Sequence, residues 1–138
     1  MPEAQGGTDG SPDGDEPSVT VLVADDQELF RDVLRDVLRA TPGMTLVGEA
    51  ESGEAALDAV EALAPQLVII DKRMPGIGGI EAARRIRARH PEIVVVIVSV
   101  ETPDDPRLLE GNHAVAFLPK RQISPRALSE LWRELGSR

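Results

Sequence analysis

The chain has 138 residues, 41% of them hydrophobic and 28% charged, with 15 basic against 24 acidic residues and a net charge of −9. That length suits one domain with a tail, and the composition excludes wholesale disorder or a fibrous repeat. The lack of cysteine excludes disulfides, thiolate zinc sites and thiol nucleophiles; the negative charge, with Phe30, Phe117 and Trp132 as the only aromatics, argues against direct DNA binding.

Residues 1 to 17 carry Glu3, Asp9, Asp13, Asp15 and Glu16, no Lys or Arg, and almost nothing apolar. Such a segment cannot offset its ordering entropy by burial, so residues 1–17 are expected to be a disordered acidic tail and residues 18–138 the folded domain. Setting those five acids aside leaves the domain at −4. The start has neither a basic region nor an apolar core of a signal, and the longest strictly apolar run, Ile93 to Val98, is far too short to span a membrane. No membrane association and a cytoplasmic location are expected.

Val19 to Ala24 is short and β-branched, and reads as a first strand. Phe30, Val33, Leu34 and Val37 then recur at helical spacing until Pro42-Gly43. Met44 to Val47 predicts a second strand. Ser52 caps a helix that carries Ala56, Leu57, Val60 and Leu63 as far as Ala64, before Pro65. Leu67 to Ile70 is a third strand, and Ile80, Ala83 and Ile86 mark a helix through about Arg89. Ile93 to Val98 is the fourth strand; beyond it Pro103, Pro106 and Gly111 leave room for only a turn or two of helix at about 106–110. A fifth strand at Val115 to Leu118 precedes a last helix with Ser124 as N-cap, Pro125 at its first position and Leu128, Leu131, Trp132 and Leu135 on one face. Alternating strands and helices of this kind predict an α/β domain: a doubly wound, five-stranded parallel sheet whose fourth helix is short or irregular.

In such sheets ligands bind beyond the carboxyl ends of the strands. Asp25-Asp26, Asp71, Ser99 and Pro119-Lys120 follow strands one, three, four and five. Two carboxylates about 4 Å apart repel by roughly 4 kcal/mol at an effective dielectric of about 20. Three converging acids therefore call for a cation, and Mg2+, a hard ion that accepts carboxylates and leaves room for phosphate oxygens, is the natural one. Asp71 is then placed to attack phosphorus and form an acyl phosphate. The chain uses 13 Arg and two Lys, so a lysine at position 120 suggests that a compact ammonium is wanted there.

Asp25-Asp26, Asp71 with Met74-Pro75-Gly76, Ser99, and Lys120 behind Pro119 resemble the receiver domain of two-component response regulators, over residues 18 to about 135. The pattern is most similar to receivers that precede a helix-turn-helix output domain. The resemblance implies a flavodoxin-like (βα)5 fold and a phosphoryl group taken by Asp71 from a histidine kinase or phosphotransfer protein. It further implies Mg2+ held by Asp26, Asp71 and the backbone carbonyl of Arg73, with Asp25 acting mostly through water. Ser99 and Lys120 would contact the phosphoryl group, and Phe117 would be the aromatic switch. The expected protein is a non-enzymatic signalling module that binds a downstream target protein. The chain ends after the last helix, so a stand-alone receiver is expected. The alternatives are a pseudo-receiver or scaffold acting without phosphorylation, and the receiver fragment of a longer DNA-binding regulator.

Four positions depart from the family's pattern: Gly78 where Asp is common, Val100 where Ala or Gly is usual, the proline-rich stretch before Lys120, and Phe117 in place of Tyr. Gly76 to Gly79 lacks the Lys-Ser or Lys-Thr of a phosphate loop. An aspartyl phosphohydrolase needs a second acid two residues after its nucleophile, where this chain has Arg73. Arg84, Arg85, Arg87 and Arg89 are expected to be a solvated helix face, His90 and His113 have no assigned role, and Trp132 is expected to pack on the core.

Overall fold

A computed structural model of the chain describes residues 18–100 and 115–136. The expected acidic tail and the expected short helix at about 106–110 lie outside the described residues. Within them the elements run β1 (Val19–Ala24), α1 (Glu28–Arg39), β2 (Met44–Ala50), α2 (Gly53–Leu63), β3 (Leu67–Asp71), α3 (Gly78–Arg89), β4 (Val94–Ser99), β5 (Val115–Pro119), a 3-10 turn (Lys120–Gln122) and α4 (Pro125–Leu135). The strands form one parallel sheet in the order β2-β1-β3-β4-β5. The order reverses beside β1, which puts a crevice at the carboxyl ends of β1 and β3.

Alternation along the strands assigns their side chains to two cores. Leu22, Ala24, Val68, Ile70, Val95 and Ile97 pack with Ala56 and Val60 of α2 and Ala82, Ala83 and Ile86 of α3. Val21, Val23, Leu67, Ile69, Val94, Val96 and Val98 pack on the other face with Leu34 and Leu38 of α1 and Leu128 of α4. Burial on both faces is why β3 and β4 are apolar along nearly their whole length.

The apolar face of α1 is rotated from the one its spacing suggests. Leu34 and Leu38 are buried, whereas Val33 is 48% exposed and Leu29 81% exposed. The helix lies on the sheet through positions 30, 34, 37 and 38, so Val33 falls on its solvent flank.

Ser52 and Ser124 cap α2 and α4 as expected, each side-chain oxygen accepting a backbone N–H, Ala55 at 3.0 Å and Ala127 at 3.0 Å. Replacing Ser124 by alanine orphans one donor and is expected to cost about 1 kcal/mol. That corresponds to a drop of roughly 4 °C or more in a thermal melt. An unchanged melting temperature would mean that the bond contributes nothing. The end of α2 is equally local: Ala64 turns into the left-handed region at φ +48° and Pro65 prevents continuation.

Candidate functional site

Strand register brings the rim residues together. Ala24 pairs with Ile70, so Asp25 lies level with Asp71; Asp71 pairs with Val98, one residue before Ser99. Ser99 in turn pairs with Pro119, one residue before Lys120. Asp25, Asp71 and Ser99 are buried, and Asp26 is exposed at the mouth. One carboxylate oxygen from each of Asp25, Asp26 and Asp71 lies within 4.8 Å of the others.

Asp25 is the structural pivot. Its Oδ1 accepts the N–H of Gln27 at 2.8 Å, and its own N–H donates to the Ala50 carbonyl at 2.9 Å. This turn makes Gln27 rather than Asp26 the residue preceding α1, and leaves the Asp26 side chain free of a capping duty. Asp25 Oδ2 lies 2.9 Å from Lys120 Nζ, yet it has no aligned hydrogen-bond donor among the described residues. The same ammonium is 3.5 Å from Asp71 Oδ2. Lys120 begins the 3-10 turn directly after β5, which aims its stem back over the rim.

Asp71 Oδ1 faces the N–H of Arg73 at 3.4 Å, so the loop after β3 folds over the acid. Burial pushes the Asp71 carboxyl above its ordinary pKa and the negative charge of Asp25 pushes it further; Lys120 and the Arg73 N–H pull it back. Gly79 sets the distance between α3 and β3: a Cβ there would lie 1.9 Å from the Asp71 carbonyl oxygen. Gly78, at the family's frequent aspartate position, has φ +80°, where glycine is least strained.

Four residues outside the expected set reach the site or brace it. Arg31 Nη1 of α1 donates to the Asp25 carbonyl at 2.7 Å while its Nε donates to Glu49 of β2 at 3.2 Å. Glu49 also takes two hydrogen bonds from Arg35, and that guanidinium holds its carboxyl below the usual range. Phe30, also on α1, presents its ring 4.1 Å beneath Lys120 Nζ. Helical spacing marks Phe30 as a core residue and gives no sign of its second partner.

Phe117 is half-buried and faces the other core, where its ring lines a cavity of about 10 Å³ with Ile80, Ala83, Ile97 and Val115. Val100 is 72% exposed at the end of β4. The arginine run on α3 is divided among partners: Arg84 and Arg85 pair with Glu81, Arg89 with Glu61, and Arg87 donates to the carbonyls of Pro91 and Ile93. His90 meets Glu61 at 2.7 Å, at the opposite end of the sheet from the acids.

The family model "Response regulator receiver domain" matches residues 21–132. Response regulator GacA of Pseudomonas protegens is 43% identical over 104 residues, covering 74% of this chain and 48% of the relative. Among solved structures, the receiver domain of the putative response regulator NarL from Mycobacterium tuberculosis superposes with a TM-score of 0.76 at 28% identity, covering 89% of this chain and all of that one. The response regulator domain of Thermotoga maritima CheB gives 0.75 at 29% identity, covering 88% of this chain and 98% of that one. The chain spans 46 to 62% of the length of the GacA relatives it matches.

Proposed function

The chain belongs to the response-regulator receiver family, a two-component signalling family, and from that premise we propose that Asp71 accepts a phosphoryl group from a histidine kinase or phosphotransfer protein. The observation that carries this reading is the convergence of Asp25, Asp26 and Asp71 within 4.8 Å, with Lys120 against two of them. Three carboxylates exceed what one ammonium neutralises, and all offer hard oxygen atoms. The donor set therefore fits Mg2+, which Asp26, Asp71 and the Arg73 carbonyl would hold, with the buried Asp25 Oδ2 contributing through water. When bound, Mg2+ supplies Lewis-acid neutralisation of phosphoryl oxygens.

The chain's own residues perform the transfer by placement. An Asp71 oxygen forms the new P–O bond as the P–N bond of a phosphohistidine breaks, and the departing imidazole takes up a proton. Lys120, already anchored on Asp25, neutralises a phosphoryl oxygen as charge gathers there, and the Ser99 hydroxyl donates to another. The added charge of about −1.5 to −2 draws Ser99 and Lys120 inward, and Phe117 follows as the switch read by a downstream target protein. That reading goes with a cytoplasmic domain that acts through protein contact without enzymatic turnover of its own. Among the described residues no helix is long and apolar enough to cross a membrane.

Intact-mass spectrometry with Mg2+ and acetyl phosphate tests the reading. The expected result is one phosphoryl adduct that requires Mg2+ and disappears in Asp71→Asn. The same variant is expected to melt several degrees higher than the unmodified chain in the absence of Mg2+. The sign follows from the raised Asp71 pKa: stability linked to this group is full at acid pH and falls as pH rises through that pKa, so the ionised acid costs stability at neutrality. Mg2+ is expected to raise the melting temperature of the unmodified chain and to do so far less in Asp71→Asn. No adduct, and no stabilisation by Mg2+ with beryllofluoride, would leave a constitutive binding module as the reading.

A further inference from the structure

Lys120 has three neighbours of different kinds: Asp25 at 2.9 Å, Asp71 at 3.5 Å and the centroid of the Phe30 ring at 4.1 Å. The two carboxylates lie on the rim of β1 and β3, whereas the ring belongs to α1, the helix that leaves β1 directly after the acidic pair. We propose that Phe30 is a positioning residue for phosphoryl transfer, its aromatic face holding the Lys120 ammonium between Asp25 and Asp71. This rests on the phosphoacceptor reading of Asp71.

The geometry makes the ring more than a wall. Lys120 enters from β5, an edge strand separated from β1 by β3 and β4, so a four-carbon stem has to cross the rim to meet Asp25. Its ammonium directs charge at two acids, and the negative π face closes a third side that water would otherwise fill. The Lys120 side chain is only 11% exposed, so the contact forms where solvent screens little. Phe30 itself packs against the core that holds Leu34 and Leu38, which fixes the plane of the ring. A branched aliphatic side chain of similar bulk would fill the space without attracting the cation. Lysine suits this place better than arginine, because a compact ammonium can face two carboxylates and a ring together, while a guanidinium presents a flat face to one and an edge to the other.

The test combines Phe30→Leu, Phe30→Tyr and site-specific mono-, di- and trifluorophenylalanine at position 30, each phosphorylated with acetyl phosphate and Mg2+ and followed by intact mass. Fluorination preserves shape while draining the ring face of negative charge. Adduct formation is expected to slow about three- to tenfold in Phe30→Leu, to stay within about twofold in Phe30→Tyr, and to fall stepwise with fluorine number. A readout independent of phosphorylation is the NMR shift of the Lys120 ε-methylene protons. Ring current should place them upfield of those of Lys72, the only other lysine, and Phe30→Leu should abolish the displacement. A flat fluorine series, or a Phe30→Leu chain that labels as fast as the unmodified one, overturns the proposal. An unmodified chain that takes no phosphoryl group at all sinks the phosphoacceptor reading, and this inference with it; equal labelling of the two chains sinks this inference alone.

Discussion

Lys120→Met is expected to lose about 3 kcal/mol of stability at neutral pH, a fall of roughly 10–20 °C in melting temperature, and to slow phosphoryl transfer to Asp71 by about 100-fold. Methionine keeps the length and much of the bulk of the side chain, so the loss isolates the charge. Asp25 is fully buried and Lys120 is the cation at its Oδ2, so the substitution leaves a buried carboxylate facing a second acid without the ammonium that lies against both. Removing one partner of a buried pair costs more than the pair contributes, because the survivor keeps its desolvation penalty. Two conditions should restore the variant. Acid pH should narrow the gap, since protonating the raised Asp71 relieves the repulsion, and the deficit should open again as pH rises through that pKa. Saturating Mg2+ should recover stability by supplying the missing positive charge. A variant that melts within about 3 °C of the unmodified chain without Mg2+ would show that Lys120 does not neutralise the acids.

Gly79→Ala is expected to be comparably damaging for a reason that involves no charge. The added methyl carbon would stand 1.9 Å from the Asp71 carbonyl oxygen, 2.8 Å from its carbonyl carbon and 3.0 Å from the Lys72 Cα. All three are backbone atoms, so no side chain can rotate away, and the first turn of α3 must leave β3. That turn is also tied down by the Gly79 N–H, which donates to the Lys72 carbonyl at 2.9 Å. A loss of about 3 kcal/mol is expected, together with slower labelling of Asp71, whose own backbone is the obstacle. Gly43→Ala is the matched control. Its φ is +80° with nothing within 4 Å of an added Cβ, so it carries only the conformational cost of about 1 kcal/mol. Equal losses for the two variants, measured by denaturant unfolding, would remove the close approach as the reason for glycine at position 79.

The strands and the rim are legible in the sequence because both are written locally. A run such as Ile93 to Val98 is too short for a helix and too apolar for a loop, and the polar residue that follows it marks the mouth of the sheet. What spacing does not encode is the angle at which a helix lies on the sheet. For that reason Val33, which the spacing assigns to the core, is half exposed, while Phe30 and Arg31 carry contacts to Lys120 and to the Asp25 carbonyl. Arg31 has a weak signal of its own: a charged residue adjoining the buried stripe of α1 needs a partner, and Glu49 across on β2 provides one. The pairing of Arg84, Arg85 and Arg89 with glutamates agrees with a solvated, salt-bridged face, and Arg87 departs from it by holding two backbone carbonyls.

Lys120 and Asp25 meet from distant parts of the domain, one following the fifth strand and the other the first. The contact therefore closes only after β3 and β4 have assembled between them, which makes it among the latest and slowest kinds of contact to form. A chain still lacking its fifth strand presents the acids without their lysine. On the proposed reading of Asp71, the rate at which the domain accepts a phosphoryl group is thus expected to report complete folding, since the lysine joins the acids only when the whole sheet has assembled.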